Sequence, residues 1–191
     1  PASIAVHRAG LALVNGDLAS TQRNARRALE LVTDDDDLAH GGAAGLLGLA
    51  SWANGDLDAA VILYDRAIIR LQRAGHLSDR LGCSLALSDI HLARGRLQEA
   101  TRALEQALQA TQRPGLPALR GTVDMHIGMS ELRREHNDLE GALESLQTAQ
   151  ALGDHMGLLQ SPYRRRLALA RIRQAQGDLD GALDLLDEAG R

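Results

Sequence analysis

Apolar residues recur along this chain at helical spacing. In Leu97-Ala100-Leu104-Ala107-Leu108 the steps are three, four, three and one, which lays these side chains on one face of a helix. Such stripes alternate with short polar turns, and five of the turns are alike: Asn15-Gly16-Asp17-Leu18, Asn54-Gly55-Asp56-Leu57, Arg94-Gly95-Arg96-Leu97, His136-Asn137-Asp138-Leu139 and Gln176-Gly177-Asp178-Leu179. With Gly16, Gly55, Gly95, Asn137 and Gly177 as anchors, the spacings are 39, 40, 42 and 40 residues. A fixed period of this length is the mark of a repeat architecture.

Other columns keep step with the anchors. Seven residues before them stand Ala9, Gly48, Ser88, Ser130 and Ala170. Five after come Thr21, Ala60, Ala100, Ala142 and Ala182; nine after, Ala25, Tyr64, Leu104, Leu146 and Leu186; twelve after, Ala28, Ala67, Ala107, Ala149 and Ala189. The pattern predicts a helix hairpin. The anchor ends the first helix, because Gly and Asn take the left-handed C′ conformation at low cost. The Asp after it starts the second helix at the positive end of the dipole. Small residues on both sides let the helices approach, and the larger Leu or Tyr fills the groove between hairpins. One hairpin cannot bury its own stripe, so neighbours stack into a solenoid.

The repeats run approximately over 1–36, 37–76, 77–116, 117–159 and 160–191, as one domain. The linkers are Thr33-Asp34-Asp35-Asp36-Asp37, Ala74-Gly75-His76, Arg113-Pro114-Gly115-Leu116-Pro117, and 153–162. The prolines of the third forbid helix continuation. In the fourth, Ser161-Pro162 reads as N-cap and first helical residue.

Composition agrees. Leu supplies 35 of 191 residues and Ala 31, whereas Val, Ile and Thr together supply 18 and Phe none. That mix excludes an all-β domain and disfavours α/β. The net charge of −4 argues against a nucleic-acid module, so no direct DNA contact is expected. All 21 basic residues are arginine, which we read as the codon bias of a GC-rich bacterial genome. A lone Cys83 suits a reducing cytoplasm. No apolar run nears the roughly 18 residues that span a bilayer. The first residues lack a signal-peptide pattern, there is no initiator Met, and the chain stops in a helical pattern, so a fragment of a longer cytoplasmic protein is expected.

A small residue, a Gly-Asp-Leu turn and two alanines at fixed offsets resemble the tetratricopeptide repeat (TPR). Repeat two carries it as Leu47-Gly48, Gly55-Asp56-Leu57, Ala60, Tyr64 and Ala67. The stretches 50–60, and 167–171 leading into 176–182, look like the superhelical domain of MalT-like, LuxR-family, ATP-dependent transcription regulators. The resemblance implies a right-handed superhelical all-α solenoid of about five TPR-like hairpins. It also implies an effector-sensing or protein-interaction role, with self-association. Nucleotide- and DNA-binding modules would lie outside this chain. The other reading is a stand-alone TPR adapter that binds an extended peptide.

In TPR proteins the first helices line a concave groove, and residues thirteen, ten, six and three before the anchor face it. Carried onto this chain, these are Gly42, Gly45, Leu49 and Trp52; Gly82, Leu85, Asp89 and Leu92; Asp124, Ile127, Glu131 and Arg134; and Arg164, Leu167, Arg171 and Gln174. The groove grades from apolar to charged. Trp52 with Leu49, Leu85 and Leu92 offers a hot spot. Arg134, Arg164 and Arg171 suit a carboxylate or phosphate. The competing expectation is that Trp52 packs against a neighbouring repeat and that the charges pair with each other. The expected ligand is a small-molecule effector or a peptide; one Trp is too little aromatic surface for a sugar site.

Other motifs read as structural. The Gly-rich stretch 41–48 lacks the Lys of a phosphate loop and reads as packing glycines. The run Asp34–Asp37 lacks the Gly and distal Glu of a calcium loop and reads as a linker that caps the next helix. Seven scattered His residues show no zinc spacing. Arg133-Arg134 and Arg164-Arg165-Arg166 read as solvated, salt-bridged helix faces. No nucleophile motif stands out, so neither an enzyme nor a cofactor is expected.

Overall fold

A computed structural model of the chain describes residues 1–111 and 119–189. The linker at 113–117 lies outside them, as do Gly190 and Arg191. All regular structure among the described residues is helical: α1 (Ala2–Val14), α2 (Leu18–Leu31), α3 (Asp37–Ala53), α4 (Leu57–Arg73), α5 (Leu77–Ala93), α6 (Leu97–Thr111), α7 (Thr122–Glu135), α8 (Leu139–Leu152), a 3-10 turn (Asp154–Met156), α9 (Ser161–Ala175) and α10 (Leu179–Ala189).

The repeated turns form as the sequence dictates. Gly16, Gly55, Gly95 and Gly177 have φ of 74°, 82°, 70° and 84°, and Asn137 has 58°. At each anchor the backbone closes a two-bond cap. The anchor N–H donates to the carbonyl three residues back, as Gly55 to Trp52 at 2.9 Å. The next N–H donates to the carbonyl five back, as Asp56 to Ser51 at 2.9 Å. The Asp side chains then accept from the first turn of the second helix: Asp17 from Ser20 N (2.9 Å), and Asp56 from Ala59 N, Asp138 from Gly141 N and Asp178 from Gly181 N (3.0 Å each). The third turn has Arg96 there, a side chain with no acceptor.

The chain divides into two compact units, Pro1–Ile90 and His91–Arg191. In the first, α3 lies against α1 and α2. Leu47 packs with Ala9 and Ala25, and Ala43 with Ala5 and Ala28. Close approach of α3 to α4 depends on glycine. A Cβ on Gly41 would meet Leu71 Cγ at 2.7 Å, whereas one on Gly48 would make ordinary contact with Tyr64 at 3.4 Å. Gly41 is thus a packing glycine of the kind read from the sequence.

In the second unit, α9 lies in the same way against α7 and α8. Ala168 and Ile172 join a core with Val123, Ile127, Ala142, Leu146 and Ala149. Burial of such aliphatic side chains, at about 1.5–3 kcal/mol each, drives the stacking. The small columns are buried as predicted: Thr21, Ala60, Ala100 and Ala142 are fully inaccessible.

The fourth linker departs from expectation. Helix α9 begins at Ser161 itself, with Gln160 as N-cap and no side-chain cap bond. The single Ser161 Oγ proton is instead shared between Asp124 Oδ1 (2.8 Å) and the Leu158 carbonyl (2.7 Å). A buried carboxylate across the interface is the stronger acceptor, so the hydroxyl turns inward.

Candidate functional site

Helix period places Arg164 and Arg171, seven residues apart, on one face of α9. Glu131 occupies on α7 the register that Arg171 occupies on α9. Stacking brings them together: Arg171 Nη1 donates to Glu131 Oε1 at 2.7 Å, and Arg164 Nη2 lies 3.7 Å from Glu131 Oε2. Glu131 and Arg164 are largely buried, whereas the Arg171 side chain is 44% exposed. The exposed arm of the cluster is the Arg171 guanidinium. Arg134 pairs with its neighbour Glu135, and Arg133 donates to the Gly141 carbonyl at 2.7 Å.

Beside this cluster an open groove of about 420 Å³ runs between α9 and α10. Leu167, Arg171 and Gln174, three predicted groove residues, line it with Ala170, Leu179, Ala182, Leu183 and Leu186. The α10 leucines were missed as site residues. Their register offered the signal: Leu186 stands in the column that fills the space between hairpins.

Other predicted residues lie elsewhere. Asp124 is wholly buried, accepting from Leu158 N at 2.8 Å and from Ser161 Oγ. It fastens the linker before α9 and presents no carboxylate to a ligand. Ile127 and Leu85 are buried in their units. In the first unit Leu49 and Trp52 lie partly exposed on α3, and Asp89 is partly buried on α5. Leu92 is partly buried at the end of α5 in the second unit.

The remaining polar motifs hold the fold. Asp36 caps α3 through Ala39 N at 3.0 Å. Arg70 joins Asp37 Oδ1 (2.8 Å) and the Asp34 carbonyl (2.9 Å). Burial, then the charge of Asp79, pushes the Cys83 thiol up to about 12, so it is a weak nucleophile at neutral pH. Burial lowers the pKa of His126, aided by Arg133, and of His40, aided by Arg70 and Arg66. Among the described residues no three His, Cys, Asp or Glu side chains gather as a metal site would need, and no helix is long and apolar enough to cross a membrane.

A family model for the MalT-like TPR region matches residues 2–191. The chain belongs to this family. The MalT-like TPR region is also 31% identical over 115 residues to the protein O-mannosyl-transferase Tmtc1 of Drosophila melanogaster. That match covers 59% of this chain and 13% of the relative. Among solved structures it resembles BtubC from P. vanneervenii, at 20% identity and a TM-score of 0.71, over 96% of this chain and 76% of the other. It resembles equally a thermophilic TPR protein of Thermus thermophilus, at 20% identity and a TM-score of 0.71, over 99% and 90%. These likenesses show the fold, an all-α array of TPR-like hairpins.

Proposed function

We propose that this TPR region is the partner-binding and effector-sensing part of a MalT-like, LuxR-family transcription regulator in the bacterial cytoplasm. One observation carries the site: Arg171 is an exposed guanidinium held on a buried carboxylate one repeat away, beside leucines. A ligand with a carboxylate and an apolar body suits that arrangement. Its carboxylate takes the place of Glu131 on Arg171, while Glu131 keeps Arg164. The ligand's carboxylate replaces that of Glu131 in kind, so Arg171 keeps a charge-assisted hydrogen bond through the exchange. The exchange removes a link between α7 and α9. A ligand that prefers one α7–α9 arrangement shifts the population toward it.

A stand-alone adapter would share the capture step without a DNA-binding neighbour. The test has two parts. Fluorescence anisotropy of labelled acidic peptides with hydrophobic flanks should show binding that Arg171→Ala weakens. Unchanged affinity in a folded Arg171→Ala variant refutes the site. Deletion of residues 1–191 from the parent regulator should abolish effector-dependent transcription; retained response refutes the sensor role and leaves the adapter.

A further inference from the structure

Helix α4 buries Ala60, Tyr64, Ala67 and Leu71 on one side. On the opposite side, at helical spacing, stand Asp58, Ile62, Asp65, Arg66, Ile69 and Arg73, all exposed. Ile62 is 63% and Ile69 53% exposed. The repeat does not call for apolar residues there. At the register of Ile62 the other second helices carry Arg23, Arg102, Glu144 and Asp184, and at that of Ile69 three of them carry Glu30, Gln109 and Ala151. All of these are exposed as well, so this side of a second helix faces solvent in interior and outer repeats alike. Only in α4 does it present two isoleucines.

The stripe is its own complement. Its acids lead and its bases follow, and its positions mirror each other about a point midway between Asp65 and Arg66. Turned antiparallel about that point, a second α4 brings Ile62 level with Ile69, Asp58 level with Arg73 and Asp65 level with Arg66. The long arginine stems can lie along the isoleucines while their heads reach the acids. A parallel pair would instead set Asp58 beside Asp58 and Arg73 beside Arg73, so charge selects the antiparallel orientation.

We infer that α4 pairs antiparallel with α4 of a second copy of this chain across a two-fold axis, with the isoleucines as the apolar strip and the acids and bases along its flanks. A two-fold contact closes on itself, so association stops at the dimer. One helix pair covers less than the roughly 1,200 Å² at which standard interfaces begin, so the dimer is weak and reversible. The contact uses no residue of the α9–α10 groove, so it goes beyond ligand capture, and either can fail without the other.

Sedimentation velocity over a concentration series should show a monomer–dimer equilibrium for the wild-type chain. Ile62→Asp should raise the dimer dissociation constant about tenfold or more, because a carboxylate replaces an apolar contact twice in each dimer. Asp58→Arg and Arg73→Asp each set like charges level across the axis and should weaken their own dimers. An equimolar mixture of these two should dimerise again, since every cross-axis pair is once more acid with base. Cysteine pairing reads the orientation: under mild oxidation Ile62→Cys and Ile69→Cys should form a disulfide-linked dimer when mixed and not when alone, with the wild-type chain and its Cys83 as control. Every substituted side chain is exposed, and circular dichroism confirms folding; if Ile62→Asp misfolds, Ile62→Gln replaces it. A wild-type chain that stays monomeric overturns the inference, as does association that Ile62→Asp leaves unchanged. A charge-swapped mixture that stays monomeric overturns it too, and so does either Cys variant that links to itself as readily as to the other.

Discussion

Glu131 and Arg171 stand 40 positions apart in sequence and 2.7 Å apart in space. That separation is one repeat, so the stack turns a period in sequence into a salt bridge between successive hairpins. Glu131 lies inside and Arg171 reaches out, which makes the arginine the exchangeable partner. Arg171→Ala should weaken an acidic peptide about ten- to hundredfold, the scale of one charge-assisted hydrogen bond at about 1.5–3 kcal/mol. Its urea midpoint should fall too, because the buried Glu131 carboxylate loses its nearer partner. Glu131→Gln should tighten the same peptide, because the internal competitor is gone. Anisotropy titration against the wild type reads both.

Two glycines should respond to alanine with opposite signs. At Gly41 a Cβ would meet Leu71 Cγ at 2.7 Å and the Leu71 backbone N at 3.1 Å. Gly41→Ala should therefore cost about 1–3 kcal/mol, the usual penalty of overpacking. Gly82 is helical too, but a Cβ there meets nothing within 4 Å. Gly82→Ala should stabilise by about 0.4–1 kcal/mol through reduced unfolded-chain entropy. Urea unfolding of the two variants decides it.

The Asp138 cap should be measurable. Its carboxylate accepts from Gly141 N, and the left-handed Asn137 before it fixes the approach. Asp138→Ala should lose about 1 kcal/mol, whereas Asp138→Asn or Asp138→Ser should keep most of it. Thermal melts of the three variants give the ranking.

Acid should destabilise the fold through its covered imidazoles. In the folded chain burial lowers the pKa of His126, and that of His40, so the unfolded chain binds protons first on acidification. The stability from the neutral rings is complete above the unfolded value of about 6.5. It falls as pH drops through that value and is gone below the folded pKa. The melting temperature should therefore fall between neutral and mildly acidic pH, and His126→Gln should flatten the fall. In NMR titration His126 should lose its proton at lower pH than an unburied histidine.

Much of the fold was legible because its determinants are local or periodic. Gly55 with Asp56 specifies a left-handed C′ residue and an N-cap wherever the pair stands. The columns of Ala60 and Ala142 declare close contact because a larger residue would not fit. The site was legible in part. Arg171, Gln174 and Leu167 share a lining, as their offsets from Gly177 implied. Asp124 obeyed the same offset rule and yet is buried, because the linker before α9 folds back and offers Leu158 N and Ser161 Oγ to its carboxylate. That linker is longer than the others and follows no column, so no register placed it. Ser161 read as a cap for the same reason: a cap needs only neighbours in sequence, whereas its actual partner is 37 residues away.

The sequence by itself determined the helices, their ends and the register in which hairpins stack, since turn chemistry and side-chain volume act over a few residues and recur. Only the tertiary structure decided which equivalent positions are covered. Asp124 and Arg164 stand at the same offset from their anchors, one enclosed by the linker before α9 and the other turned to Glu131. Burial depends on what lies across the gap, and that is a property of neighbours in space.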